Sequence, residues 1–279
     1  MIEEPCHMFQ NIKIIVALHK KYDLPDDPVY CPIHVGAAGK ERIGCLSDDS
    51  GDNISLKNAG FCELTGLYWA WKNLECDYLG LVHYRRYFTV CSRFELWRAG
   101  KSKKAKLNCV LSDAEVRSIL EHCDIVVPGK RRYYIETLYS HYSHSHYHEH
   151  LDVTRDIIAE KYPKYLPAFD KVMKQSYGHM FNMFIMSRQL SDKYCEWLFD
   201  ILFELEKRID LSDISAFQSR LYGRVSEIIF NVWLTYQVEK HAYRVQETRF
   251  FYMEPVKWRK KISAFLKAKF LHKKYESGF

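Results

Sequence analysis

The chain has 279 residues, 47% hydrophobic and 27% charged, which excludes a disordered or fibrous polypeptide and allows a sizeable core. Its formal charge is +6, but residues 255–279 hold eight Lys and Arg against the single Glu276, so the first 254 residues carry 33 basic and 34 acidic groups. A body this near neutral argues against a nucleic-acid binder, whose basic residues spread over the fold. In chain order, residues 12–18 (IKIIVAL) read as a short buried strand ending at His19-Lys20, and residues 29–35 as a second strand. Residues 47–53 are loop chemistry. Ser55 caps a helix expected to run to about Asn73, aromatic on most sides through Phe61, Tyr68, Trp69 and Trp71. A strand over 78–82 delivers His83-Tyr84-Arg85-Arg86-Tyr87 at its carboxyl end, and 93–106 reads as a basic, glycine-containing loop. Ser112 and Glu115 form a capping box for a helix through His122, and 124–128 is a third clear strand. A Tyr/His-rich segment follows, then a helix over about 150–161, a strand over 180–186, and helices over 192–208 and about 213–238. This alternation predicts an α/β fold with a mostly parallel sheet flanked by helices, one domain over 1–254 and a helical extension over 255–279.

In such sheets ligands bind beyond the carboxyl ends of the strands, where His19, residues 83–86 and residues 130–132 fall. His83, Arg85 and Arg86 suit a diphosphate, because the guanidinium fork binds phosphate oxygens bidentately and keeps its charge. The alternative is a surface ion-pair cluster, or arginines stacked on tyrosines. His141, His144, His146, His148 and His150 raise a metal reading through their i, i+4 spacing. No cysteine lies nearby and no HExxH occurs, so no metal ligand is assigned; an aromatic and histidine segment packing at a cleft is the competing reading. Asp152 sits one turn from His148, which makes Asp152, Glu149 and His148 acid–base candidates. His179 precedes an apolar strand and is either a hydrogen-bonded core histidine or a functional one. Glu227 interrupts the apolar run 225–232, where an unpaired carboxylate is costly, so it either pairs with an arginine or acts as a base. No Walker loop, GxGxxG, GxSxG or Asp-x-Asp metal motif after a strand is present. If a diphosphate departs here, Arg, Lys and His replace the Mn²⁺ or Mg²⁺ that usually neutralises it, and no cofactor is required.

Nine cysteines, an odd number with no CxxC, suit a reducing compartment better than a disulfide framework. The N-terminus shows no basic region followed by an apolar run, and no stretch reaches the roughly 18 apolar residues of a membrane span. A cytoplasmic protein is expected. In the tail, Trp258, Ile262, Phe265, Leu266, Phe270 and Leu271 recur at spacings of three or four among Lys and Arg. That pattern reads either as a basic amphipathic helix lying on anionic lipid at the inner face of the plasma membrane, or as a helix packed on the domain with a solvated lysine face.

Several stretches together resemble a known family. They are Asp52-Asn53-Ile54-Ser55 with Asn58, Glu63-Leu64-Thr65-Gly66-Leu67-Tyr68-Trp69-Ala70-Trp71-Lys72-Asn73, Gly80-Leu81-Val82-His83-Tyr84-Arg85-Arg86-Tyr87-Phe88, Tyr133-Tyr134-Ile135-Glu136-Thr137, the 178–186 strand and Ser226-Glu227. The chain is similar over roughly residues 12–275 to bacterial glycosyltransferases of capsule and exopolysaccharide clusters, long catalogued as a domain of unknown function. The resemblance implies a GT-A-like, Rossmann-type fold, a UDP-sugar donor, with UDP-galactofuranose the donor linked to the group, and a polysaccharide or lipid-linked oligosaccharide acceptor. Gly223-Arg224-Val225 departs from the family pattern, in which an aromatic often follows the glycine. On this reading His19, Asn58, His83, Arg85 and Arg86 hold the donor diphosphate, and Glu227 or Asp152, with His148 and His179, serve acid–base roles. The competing function is a non-catalytic sugar- or nucleotide-binding subunit of a polysaccharide synthesis complex.

Overall fold

The computed structural model describes residues 11–212, 214–255 and 269. Strand β1 (Ile12–Leu18) is buried at nearly every position because it pairs on both sides. Its neighbours are β2 (Tyr30–His34) and, across the sheet, the later strand Tyr78–His83, both parallel to it. The two-residue β3 (Leu46–Ser47) extends this parallel half beyond β2.

The helix expected over 55–73 is broken. A 3₁₀ turn at Ser55–Lys57 leads into α1 (Asn58–Phe61), the chain turns at Cys62 with φ 55°, and α2 (Leu64–Asn73) starts anew. Asn58 stabilises the break, because its side-chain amide donates to the Cys62 carbonyl (2.7 Å) and the Thr65 hydroxyl (3.0 Å). Then β4 (Tyr78–His83) turns sharply into β5 (Arg86–Thr89), which touches it at His83 opposite Arg86. The stretch read as a basic loop folds into two short helices, α3 (Arg93–Ala99) and α4 (Lys103–Leu107), with Ser92 and Ser102 as N-caps. α5 (Asp113–Leu120) begins at the predicted capping box of Ser112 and Glu115, and β6 (Ile125–Pro128) follows.

β7 (Arg131–Arg132) forms a small antiparallel ribbon with a later segment, Tyr177–Gly178. Between them lie α6 (Leu138–Ser145), α7 (Glu149–Lys161) and α8 (Leu166–Met173), so the Tyr/His-rich segment is largely helical. After β8 (Tyr177–Gly178), the predicted strand over 180–186 shrinks to β9 (Phe184–Ser187), because Phe181 and Asn182 adopt φ of 78° and 53°. α9 (Arg188–Arg208) and α10 (Leu221–His241) are long core helices, and α10 begins several residues later than its pattern suggested. β10 (Val245–Tyr252) ends the described fold and was not anticipated, because it alternates exposed Gln246, Glu247 and Arg249 with buried Thr248 and Phe251.

The expectation of a mostly parallel sheet is corrected by these pairings. β3, β2, β1 and β4 are parallel, but β9 runs antiparallel between β4 and β6. β6 is parallel to β10, which is antiparallel to β5. The sheet is therefore large and mixed, flanked by helices. Part of the mixture arises because the chain leaves β6 through the α6–α8 excursion and returns as β9 in the opposite sense. Apart from Pro255 and Lys269, the amphipathic pattern of 255–279 lies outside the described residues. The Lys269 amine approaches the Ile135 carbonyl at 3.4 Å. Among the described residues no helix is long and apolar enough to cross a membrane.

Candidate active site

The chain leaves β1 toward β2 on one side and later returns as β4 on the other, so the carboxyl ends of β1 and β4 border the point where strand order reverses. His19 follows β1 and His83 ends β4 at this point. Together with Asn58, Cys62, Glu63, Arg85 and Arg220 they line a cavity of about 320 Å³. The Arg85 backbone N–H donates to His83 Nδ1 at 3.2 Å. Burial, then the charges of Arg86, Arg85, His19 and Arg220, push the His83 pKa well below the usual histidine value. This shift favours the neutral ring, and because Nδ1 accepts from Arg85 the neutral ring carries its proton on Nε2. Burial and Arg85 likewise lower His19. Both rings offer N–H donors in a pocket whose positive charge comes from arginine.

Arg85 Nε and Arg86 Nε are buried without a hydrogen-bond partner among the described residues. Each unmet buried donor costs about 1–3 kcal/mol, a cost that a bound anion relieves. Arg220 is oriented by its Nε, which donates to Cys62 Sγ at 3.1 Å. Asn58 has spent its N–H groups on the break after α1, which leaves its carbonyl oxygen for a ligand.

A second cavity, of about 250 Å³, is lined by Arg86, Arg131, Tyr133, His141, His146, Arg224 and Glu227, among others. Glu227 comes from the first half of α10. Burial, reinforced by Glu63, raises its pKa, while Arg86, the Phe181 backbone N–H and Arg131 pull the other way. Positive φ at Phe181 and Asn182 makes this arrangement possible, and a non-glycine residue held there stores about 1–3 kcal/mol. The Phe181 ring lies beneath the Arg86 guanidinium at 4.4 Å. The Asn182 amide donates to Glu63 Oε1 (2.9 Å) and to the Gly223 carbonyl (3.1 Å), and its own oxygen accepts from the Ser226 hydroxyl (2.9 Å). Asn182 therefore ties Glu63 of the first cavity to the turn of α10 that presents Glu227 to the second. Arg224 donates to the Phe217 and Gln218 carbonyls (2.5 and 3.2 Å) and fastens the chain before α10.

Of the predicted residues, His19, Asn58, His83 and Arg85 gather in the first cavity, and Arg86 and Glu227 in the second. His179 lies apart. Its Nδ1 donates to the Pro128 carbonyl at 2.6 Å, and it lines a separate cavity of about 460 Å³ with Lys130 and Glu247. His148 and Asp152 pair with each other at 2.9 Å on an exposed face and line neither of the first two cavities. The histidine cluster disperses: His141 and His144 share the buried Glu136 carboxylate, His146 meets Gln218 and His150 meets Tyr142. Among the described residues no group of three or more His, Cys, Asp or Glu is arranged to hold a metal ion. Arg131 falls in the strand-end stretch 130–132, but Glu63, Asn182 and Arg220 carry no local signal of a role. Glu63 does head the aromatic motif that ends at Asn73, and Arg220 stands two turns before Glu227, but nothing local pairs them.

No curated protein matches the chain. Among solved structures, the apo form of WbbM, a bifunctional glycosyltransferase, superposes with a TM-score of 0.79 at 30% sequence identity. The match covers 88% of this chain but 46% of the WbbM chain, so this chain spans about half the length of that neighbour. Residues 13–239, which contain every residue lining these two cavities, match the family described as a domain of unknown function (DUF4422), and the chain belongs to that family.

Proposed function

We propose that this chain is a GT-A-like glycosyltransferase that moves a hexosyl group from a UDP-sugar to a saccharide or lipid-linked acceptor. The observation that carries the reading is a pair of adjoining cavities of complementary chemistry. One gathers Arg85, its Nε unmet, and Arg220 at a strand-order reversal, and the other holds a half-buried carboxylate with raised proton affinity. The likeness to a glycosyltransferase over most of this chain supports it.

In this reading the first cavity takes the diphosphate. Arg85 and Arg220 supply charge, and the neutral His83 and His19 supply N–H donors. Because these groups are already in place, they stabilise the charge that develops on the departing UDP without reorganising. Their abundance fits a site that does without a required divalent ion. The second cavity takes the acceptor. In an inverting displacement, Glu227 removes the proton from the acceptor hydroxyl as that oxygen attacks the anomeric carbon. The sugar–phosphate bond breaks, and its electron pair leaves on UDP. A carboxylate of raised pKa suits this task, since catalytic bases work best when poised near the operating pH. Arg86 and Arg131 keep it ionisable. Asp152 with His148, and His179, are then peripheral to the reacting atoms. The basic tail would hold the enzyme at the inner face of the membrane, where lipid-linked acceptors occur, as the resemblance to capsule and exopolysaccharide enzymes suggests.

The test is a thermal-shift screen of UDP and UDP-hexoses, UDP-galactofuranose included, with and without Mn²⁺. A ligand that binds only the folded state at a hundred times its Kd adds about 2.7 kcal/mol of stability. We expect stabilisation by UDP, and slow UDP release from the matching donor. If UDP and every UDP-hexose leave the melting temperature unchanged, the reading fails.

A further inference from the structure

The basic stretch 93–106 forms a surface the transferase reading does not use. α3 has seven residues, and its Phe94 and Trp97 stand one turn apart on one face, 62% and 74% exposed. Their rings stack on each other with centroids 5.9 Å apart, rather than on the core. Val90, 52% exposed, precedes them. Arg93, Arg98, Lys101, Lys103 and Lys104 lie on α3, α4 and the turn between them, and all are exposed. The acids nearby are engaged: Glu95 in the Ser92 capping box, Asp23 with Lys103 at 3.4 Å, and Glu254 with the Tyr22 hydroxyl at 3.3 Å, which leaves Arg93, Arg98, Lys101 and Lys104 as the cations beside the aromatic pair. An exposed aromatic pair beside cations, on a helix pinned by its cap, matches the chemistry of the anionic bilayer interface. There Trp and Phe enter the headgroup boundary and Lys and Arg meet lipid phosphates.

The placement also relates this surface to the first cavity. The Lys103 amine lies 4.6 Å from the Tyr22 ring, which packs edge-on to Tyr84. Tyr84 in turn contacts His19 and His83. The Lys106 amine donates to the Tyr252 and Met253 carbonyls and so fixes α4 to the end of β10. The basic surface is therefore rigidly joined to the elements that build the cavity.

We propose that α3 and α4 form a membrane-docking surface that inserts Phe94 and Trp97 into an anionic lipid bilayer. This does not depend on the transferase reading or on the tail. The test is sedimentation of the full chain with vesicles of one part phosphatidylglycerol to three parts phosphatidylcholine, and with pure phosphatidylcholine. Binding to the anionic vesicles is expected, with the tail unaltered throughout. Phe94→Ser/Trp97→Ser should weaken it at least tenfold. Arg93→Gln/Arg98→Gln should weaken it by roughly 25-fold, at about fivefold for each cation removed near the surface. Because these side chains are exposed, both variants should keep the melting temperature of the parent. Brominated acyl chains should quench fluorescence in the parent more than in Trp97→Phe. The proposal is overturned if the anionic vesicles do not bind, if both double variants bind as tightly as the parent, or if light scattering shows that the same variants dissolve a dimer instead.

Discussion

Replacing Arg85 by methionine should lower affinity for UDP without lowering the stability of the free protein. The side chain keeps its length and loses its fork. If the guanidinium gives two charge-assisted hydrogen bonds to the diphosphate, each worth about 1.5–3 kcal/mol, the gross loss is about 3–6 kcal/mol. Arg220, Arg86 and the two imidazoles remain nearby, so the lower end applies, about 3 kcal/mol or roughly 150-fold in Kd. In the free protein the sign reverses. Arg85 Nε is buried and unmet, and its removal relieves about 1–3 kcal/mol of desolvation. At about 2–4 °C per kcal/mol for a domain of this size, the melting temperature should hold or rise by several degrees. Arg85→Lys, which keeps charge but not the planar fork, should recover only part of the affinity. Titration calorimetry with UDP at fixed ionic strength, beside scanning calorimetry of each variant, reads both effects. A Kd within threefold of the parent in a folded Arg85→Met protein would refute the reasoning.

Glu227→Gln should lower turnover by about 10²–10⁴-fold while leaving UDP affinity nearly unchanged. The Glu227 pKa is raised in the folded state, so the folded chain binds more protons than the unfolded one, and stability falls as pH rises through that window. Glu227→Gln should therefore be the more stable protein above the window, and parent activity should rise with pH across it; unfolding curves that stay parallel at all pH values would contradict this. Asn182→Ala should lose about 2–4 kcal/mol, because Glu63 and Ser226 lose a buried partner and alanine must hold φ 53°; Asn182→Gly, which relieves only the backbone, should recover less than half in urea unfolding. Gly36 has φ 63°, and an added Cβ would lie 2.5 Å from Asn58 Cγ, so Gly36→Ala should cost about 1–3 kcal/mol and weaken UDP binding through the displaced Asn58; unfolding and UDP titration together check it.

Much of the parallel half was legible in the sequence. The β-branched run of β1 and the strand that ends at His83 state their burial in their composition, and the Ser112–Glu115 capping box fixes the start of α5. Those signals are local. β10 escaped because one face is solvated and its apolar content is low, and β5 because it is four residues long and opens on arginine. The break in the 55–73 helix rests on the Asn58 side chain reaching four and seven residues onward, which no helical period reveals.

The candidate site divides the same way. Sequence alone determined that histidine ends β4 with arginines just beyond it, and that Glu227 sits in an apolar helix, because strand ends and a carboxylate in an apolar run are visible in pattern and composition. It also determined the uneven charge, a near-neutral body with cations concentrated in the tail. Only the tertiary structure decided that Arg85 and Arg86, adjacent in sequence, serve different cavities. Only it joined Glu63 to Asn182 across 119 residues and so tied a carboxylate of the first cavity to the turn of α10 that carries Glu227. It alone separated His148, Asp152 and His179 from both cavities. The reason is physical: regular structure follows from interactions a few residues apart, whereas a site follows from which strand ends and helix turns pack together, and that depends on crossover paths no local repeat encodes.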